Sequence, residues 1–529
     1  LQRISGFRLP LQKDFGGGQM KNSEKEIVMI GGGLGGLVTG ALLSKEGYRV
    51  TVLEKNGIIG GGLQCFHRHN TIFETGIHIL GGFTEGGSLS KICSYLGILD
   101  KLDIRHTDSD CIDSIIFGNG EEHYRLPRGK MAFETYLSGL FPDQAERLHR
   151  YMNAMWALSE EVDLFYLRED DGNPLRSHSP EFLMPADMFI AKYISDPVLA
   201  ELLAYMNPMY AGVAGHTPAF VHALINVLYI NGSSMFAGGS QQMADALARV
   251  IVNGGGEIRA GDPVTEIAVE ERAVTHVVTR SGKKYRGKLY ISDIHPCTLL
   301  ELLPETAFIK SYRNRLQEIP NSYSAFSLYI KFKDGAEQPF VNHPCYYQKE
   351  HGRVWKLEEY DNSYPNGFMY LTSPAKKQGR WAERMTVNCP MPFSAVEKWA
   401  GSRTGNRPAD YYVWKEEIKQ RILENLEIVS PGINERIEFC LTSSPLTIRD
   451  FYGTKEGAIY GYNRDCTNMA LSQISIATKV RNLLLTGQNI NLHGICGVPL
   501  TAIQTAECIA GRGVIVRKIN EDYERRKHV

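Results

Sequence analysis

Gly31, Gly33 and Gly36 stand in the order G-x-G-x-x-G, and Glu54 closes the apolar run that follows, YRVTVLE. Residues of these types in this order bind rather than react. Glycines let the backbone turn tightly and approach a pyrophosphate, and a helix that starts there offers free N–H groups to the anion. A carboxylate at the end of the second strand accepts the hydroxyls of a ribose. No Ser–His–Asp spacing, CxxC pair or metal-ligand cluster competes for the chemistry. The cysteines are scattered singly from Cys65 to Cys508, which argues against a disulfide framework and fits a reducing cytoplasm.

The glycine motif has meaning only inside a strand–helix–strand unit. Glu26–Ile30 (EIVMI) reads as a short strand that is apolar on both faces. Leu37–Glu46 reads as a helix with Gly47 as its C-cap, and Tyr48–Glu54 as a second strand. After Glu54, the segment KNGIIGGGLQCF adds a second glycine run at Gly60, Gly61 and Gly62. It resembles the extension that FAD enzymes of the glutathione-reductase-like superfamily lay along the pyrophosphate and ribityl chain. A domain for NAD alone has no need of it, so the resemblance implies FAD.

Further segments carry a closer resemblance: TIFETGIHILGG (Thr71 to Gly82), the block from Phe236 to Glu271, and VRNLLLTGQNINLHGICGVPLTAIQTAECIAG (Val480 to Gly511). LYISDIHP (Leu289 to Pro296), SSPLTIRDFYGTKEGAIYGY (Ser443 to Tyr462) and the stretch Ser195 to Phe220 add to it. From about Glu26 to about Lys518 the sequence resembles the polyene-acting flavoproteins: phytoene desaturases, carotenoid isomerases and all-trans-retinol 13,14-reductases. TGIHILGG is nearer the saturase branch.

The resemblance implies roles residue by residue. Gly31, Gly33 and Gly36 would meet the pyrophosphate, Glu54 the adenosine ribose, and Gly61 and Gly62 the pyrophosphate and ribityl chain. The Val264 backbone would meet adenine, and Gly487 and Asn489 the pyrophosphate and ribityl region. Gly497 and Val498 would lie near the pyrimidine edge of the isoalloxazine. Asn489 departs from the Asp usual in related flavoproteins; its amide still bonds a hydroxyl, without the charge. Glu74, His78 and His493 fall on segments placed near the flavin and are the catalytic candidates. A histidine there either donates to a substrate oxygen and moves a proton or only braces the flavin loop. His295, before Pro296, reads as a turn or buried hydrogen-bonding residue.

The implied fold is α/β (α+β), a glutathione-reductase-like flavoprotein in two domains. Residues 25–103, 237–300 and 432–520 would form a discontinuous Rossmann-type FAD-binding domain. Residues 104–236 and 301–431 would form a substrate domain, a mixed sheet under a helical cap. Residues 1–24 are expected to be a disordered leader or tag. Asp143 to Phe165 and Trp414 to Gly432 read as helices. Tyr323 to Lys333, VWKLEEY, GFMYLTS and ERMTVNC read as strands. Met184, Met188, Phe189, Met206, Met209 and Tyr210 either suit a long apolar ligand or form an ordinary helical core.

With 58 basic against 59 acidic residues and no long block of either sign, a nucleic-acid partner has no electrostatic support. No apolar run approaches the roughly 18 residues of a membrane span. The expected activity is hydride transfer between flavin N5 and a C–C bond of a lipophilic, retinoid- or carotenoid-like polyene, in a direction the sequence leaves open. No second glycine fingerprint offers an NAD(P)H domain, so a diffusible electron donor or acceptor, a quinone or oxygen, is expected. So is a cytoplasmic protein that touches a membrane peripherally through its cap. The alternatives are a flavin amine oxidase-like enzyme, which favours an aromatic cage and a lysine beside the flavin, and a non-catalytic prenyl-lipid carrier resembling Rab escort proteins. The intact GQNINLHGICGVP stretch argues against the carrier.

Overall fold

The computed structural model describes residues 25–169, 178–374 and 379–528. The expected leader or tag, residues 1–24, lies outside them. Strand Glu26–Ile30 is the centre of a five-stranded sheet in the order Glu257–Arg259, Arg49–Leu53, Glu26–Ile30, Leu289–Ser292, Leu483–Leu485. Every neighbouring pair in it runs parallel. The sheet therefore draws on the beginning, middle and end of the chain.

The apolar run EIVMI follows from burial on both faces. Alternate side chains of a strand point to opposite sides. Ile27 and Met29 pack with Leu37, Val38, Leu247 and Ile503 of the covering helices. Val28 and Ile30 pack with Ile267, Val274 and Val277 of an antiparallel meander. Helix Leu34–Lys45 begins directly after Gly33, earlier than Leu37, and Gly47 closes it with a left-handed φ of 82°.

A second sheet has seven strands: Ile437–Ser443, Ser324–Phe332, Ala382–Met391, Gly367–Pro374, Cys345–Gln348, Asp113–Phe117 and Glu122–Leu126. All neighbours are antiparallel except Cys345–Gln348 with Asp113–Phe117. The segment VWKLEEY is not among them. It forms consecutive turns, with Lys356 N–H to Arg353 O at 2.8 Å and Glu359 N–H to Lys356 O at 3.1 Å. Its charged residues lie on turns, and the tyrosine-rich Cys345–Gln348 takes the strand position instead.

Strand Ser324–Phe332 divides two environments. Phe326, Leu328 and Ile330 pack on Ile418, Ile422 and Leu426 of helix Ala409–Val429, the helix expected near Trp414. Ala325 and Ser327, on the other face, look into a cavity. Helix Ala219–Ile230 roofs that cavity, and helix Ala145–Glu160 packs behind the roof. There Tyr151 Oη lies 2.7 Å from His222 Nε2 and Tyr210 Oη lies 3.0 Å from His222 Nδ1. Of the Met and aromatic set, Phe189, Met206 and Tyr210 are core, Met209 lines the cavity, and Met188 is 56% exposed.

Candidate flavin and substrate site

Four strands of the parallel sheet end side by side: Ile30, Leu53, Ser292 and Leu485. The residues that follow them, Gly31, Glu54, Asp293 and Thr486–Gly487, converge at the carboxyl edge, where open α/β sheets bind ligands. Gly31 takes a φ of 104° and Gly487 one of 89°, which side-chain-bearing residues rarely adopt. The Glu54 carboxylate accepts the N–H of Gly32 at 2.8 Å and of Asn56 at 2.8 Å. The second glycine run lies on the first, with Gly60 N–H to Gly32 O at 2.7 Å. A Cβ on Gly61 would stand 3.1 Å from Gly33 Cα, and one on Gly35 2.8 Å from Gly487 Cα.

This is a cradle that side chains would fill, at a helix N-terminus with no capping side chain from Gly33. A dinucleotide fits it. The start of the strand that carries Val264 lies beside Glu54, with Asp262 N–H to Glu54 O at 3.3 Å. Asn489 is buried, and its Oδ1 accepts the Tyr462 N–H at 3.1 Å. Gly497 reaches the cavity wall from the first turns of helix Gly494–Ala510, whereas the Val498 side chain packs into the core.

Asp293 lies in LYISDIHP with no role implied for it there, yet its carboxyl accepts the N–H groups of Gly36 and Gly33. Burial pushes it up to about 7, with the Glu54 charge adding to the shift and the two N–H groups opposing it. The signal for it is its place: it follows a parallel strand, LYIS, as Gly31 and Glu54 follow theirs.

Between sheet and roof lies a cavity of about 1480 Å³, counted out to solvent, whose wall includes residues 491–497, downstream of Gly487. Phe165, Met209, Phe220, Leu224 and Leu228 make its walls largely apolar, and Thr75, His78, Ser327, Asn388, Arg464, Asn491 and His493 are among its polar lining. His78 Nδ1 and His493 Nε2 are buried without partners. Burial lowers His78 to about 4; burial and the nearby Arg464 charge lower His493 to about 3. Both rings are neutral at pH 7, so each offers one donor and one acceptor rather than a cation.

Glu74 is placed differently. It ends strand Thr71–Glu74, opposite Cys65, and does not line the cavity. Burial raises its carboxyl, and the Arg384 charge opposes the shift. The chain continues from Glu74 without helix, so the spacing of Glu74 and His78 does not put them on one face. His295 is buried, lies 3.0 Å from Asn321 Oδ1 through Nε2, and accepts the Cys297 N–H at the start of its helix. Tyr229, Tyr323, Tyr452 and Tyr460 line the cavity, but no lysine does; Arg464 is its one charged lining residue among those described.

A sheet that binds a dinucleotide at its carboxyl edge, joined to a second sheet under helices, defines an FAD-dependent oxidoreductase. The chain belongs to the flavin containing amine oxidoreductase family, whose model matches residues 34–510. An all-trans-retinol 13,14-reductase from Danio rerio is 24% identical, over 92% of this chain and 86% of its own. A chloroplastic prolycopene isomerase from an Oncidium hybrid cultivar is 23% identical, over 93% of this chain and 85% of its own. The crystal structure of an oxidoreductase from Methanosarcina mazei shares the fold, with a TM-score of 0.64 at 16% identity, covering 91% of this chain and 100% of that one.

Proposed function

We propose that the protein is an FAD-dependent oxidoreductase that acts on a carbon–carbon bond of a lipophilic polyene, retinoid- or carotenoid-like. The observation that carries this reading is a mainly apolar cavity whose wall includes residues 491–497, the segment that follows Gly487 of the cradle. The names of the two relatives, both polyene enzymes, support it. Bound FAD supplies two-electron hydride chemistry at such a bond. The chain supplies the rest. Gly31, Gly33, Gly36, Gly61, Gly62 and Gly487 hold the pyrophosphate, Glu54 the ribose and the Val264 backbone the adenine. Asn489, Gly497 and Val498 keep the ribityl and ring end in place. The apolar walls exclude water, and His78 and His493, as neutral rings, position the substrate through one donor and one acceptor nitrogen each. Glu74 acts through the hairpin it anchors rather than on substrate.

Electrons come from or go to a diffusible partner, and substrate arrives from a membrane that the helical cap touches peripherally on its cytoplasmic side. No helix among the described residues is long and apolar enough to cross a membrane. An amine substrate would find its tyrosines here, but it would meet the positive charge of Arg464 and no carboxylate on the cavity wall.

The test is an absorption spectrum of the purified protein, followed by anaerobic incubation with retinoids and carotenoids in both redox directions. Flavin bands that bleach or recover with a polyene, and not with a panel of amines, are expected. A protein that oxidises amines with peroxide release and leaves polyenes untouched would overturn the reading.

A further inference from the structure

Arg464 is the odd residue in an apolar cavity. It is 8% exposed, Nη1 donates to Ser472 O at 2.7 Å, and Nη2 reaches Gln488 O at 3.4 Å. Its Nε is buried without a partner. No carboxylate among the described residues offsets it: burial alone lowers it, to about 10, so it keeps its charge at neutral pH. A guanidinium buried without a counter-charge is costly unless a ligand supplies one. Its charge reaches His493, the wall of the same cavity carries other unspent polar atoms, Nε2 of His493 and Oδ1 of Asn491, and the Tyr460 ring lies 5.0 Å from that of His493. Leu224, Leu228 and Phe220 make the wall that leads away from this group apolar.

Backbone carbonyls satisfy part of the guanidinium fork but leave its charge uncancelled, and a carboxylate is the group whose shape and charge complement it. An ammonium would be repelled, and an alcohol would leave the charge unpaired. We infer that the ligand of this cavity is a long apolar chain ending in a carboxylate, seated on Arg464 with His493 and Asn491 beside it. The inference rests on the polyene reading for the chain and adds its terminus. Arg464 is then a substrate-binding residue that sets which end of the lipid enters first.

The experiment uses the flavin-loaded protein and three probes, all-trans-retinoate, all-trans-retinol and oleate, with dissociation constants read from perturbation of the flavin spectrum under anaerobic conditions. Retinoate is expected to bind at least tenfold more tightly than retinol. Arg464→Met should abolish that preference by weakening retinoate while leaving retinol unchanged, and Arg464→Lys should restore part of it. Equal affinity of the wild-type protein for retinoate and retinol overturns the carboxylate inference and leaves the polyene reading standing. That comparison is decisive even where the variant fails to fold. Binding of oleate without either retinoid supports the carboxylate site and sinks the polyene reading. Loss of flavin from Arg464→Met with unchanged discrimination would assign the guanidinium to the cofactor, and overturn the inference.

Discussion

The Asp293 carboxyl lies against the first turn of helix Leu34–Lys45, its Oδ2 2.7 Å from where a Cβ on Gly33 would stand. It accepts the N–H groups of Gly36 and Gly33, which a helix N-terminus otherwise offers to a phosphate. A pyrophosphate held at this helix end, as proposed for FAD, would share one anion site with the acid. Flavin retention would then depend on a proton.

Burial raises Asp293 to about 7 before any phosphate arrives. Phosphate charge favours the protonated acid further, so binding takes up a proton once the pH exceeds about 7. FAD affinity is expected to be flat below that value and to fall by up to about tenfold per pH unit above it. Asp293→Asn keeps the acceptor oxygen and removes the titration. Its affinity should be level in alkaline buffer and exceed that of the unaltered protein. Fluorescence titrations of flavin-stripped protein would decide; a wild-type profile as flat as the variant's counts against a shared site.

Glu54 works in the opposite sense, as a fixed acceptor. It ties Gly32 and Asn56 through both carboxylate oxygens, and hydrogen bonds to a charged group contribute about 1.5–3 kcal/mol each. Glu54→Ala should weaken FAD binding by roughly tenfold to a hundredfold, while the circular dichroism of the fold is retained. Unchanged flavin occupancy would show that the ribose sits elsewhere.

The cradle was legible because its requirements are local. Only glycine fits where the two loops and Gly487 approach within 3 Å or so, and only a strand end puts Glu54 there. The order of the five strands was not legible, since parallel neighbours such as Leu289–Ser292 and Leu483–Leu485 are far apart in sequence. Arg464 and Asp293 escaped for a related reason. Each is an ordinary surface-type residue in sequence, and only packing reveals it to be buried without a salt bridge. VWKLEEY failed because a short apolar–charged alternation fits a strand or a string of turns equally well.

Buried neutral histidines set the acid limit of the protein. His78, His295 and His343 are lowered to about 4, and His222 and His493 to about 3, chiefly by burial. In the unfolded chain they protonate near 6.5, so the stability they contribute is full above that pH and is lost as pH falls through 6.5 toward 3–4. Each pH unit in that window removes about 1.4 kcal/mol per histidine. The thermal midpoint should drop steeply below pH 6, while kcat should show no ionisation near 6.5 from His78 or His493. An acid limb in kcat centred near 6.5, absent from His493→Asn, would mean that a histidine cycles through its charged form after all.

The proposed membrane contact has exposed apolar side chains to use on the helices of residues 130–193. Met131, on helix Lys130–Leu140, is 83% exposed, and Met188, on helix Ala186–Tyr193, is 56% exposed; Leu183 and Leu140 are exposed nearby in sequence. Each methionine inserted among acyl chains gains about 1.5–3 kcal/mol of apolar burial. The double variant Met131→Asp, Met188→Asp should lower the fraction that floats with liposomes by tenfold or more, and should raise KM for a vesicle-borne polyene more than it lowers kcat. Because neither side chain reaches the cavity wall, turnover of detergent-dispersed substrate should be unchanged. Flotation equal to that of the unaltered protein would move the contact off these helices. Failure of the unaltered protein to float, with and without substrate, would end the membrane reading and leave delivery to a soluble carrier.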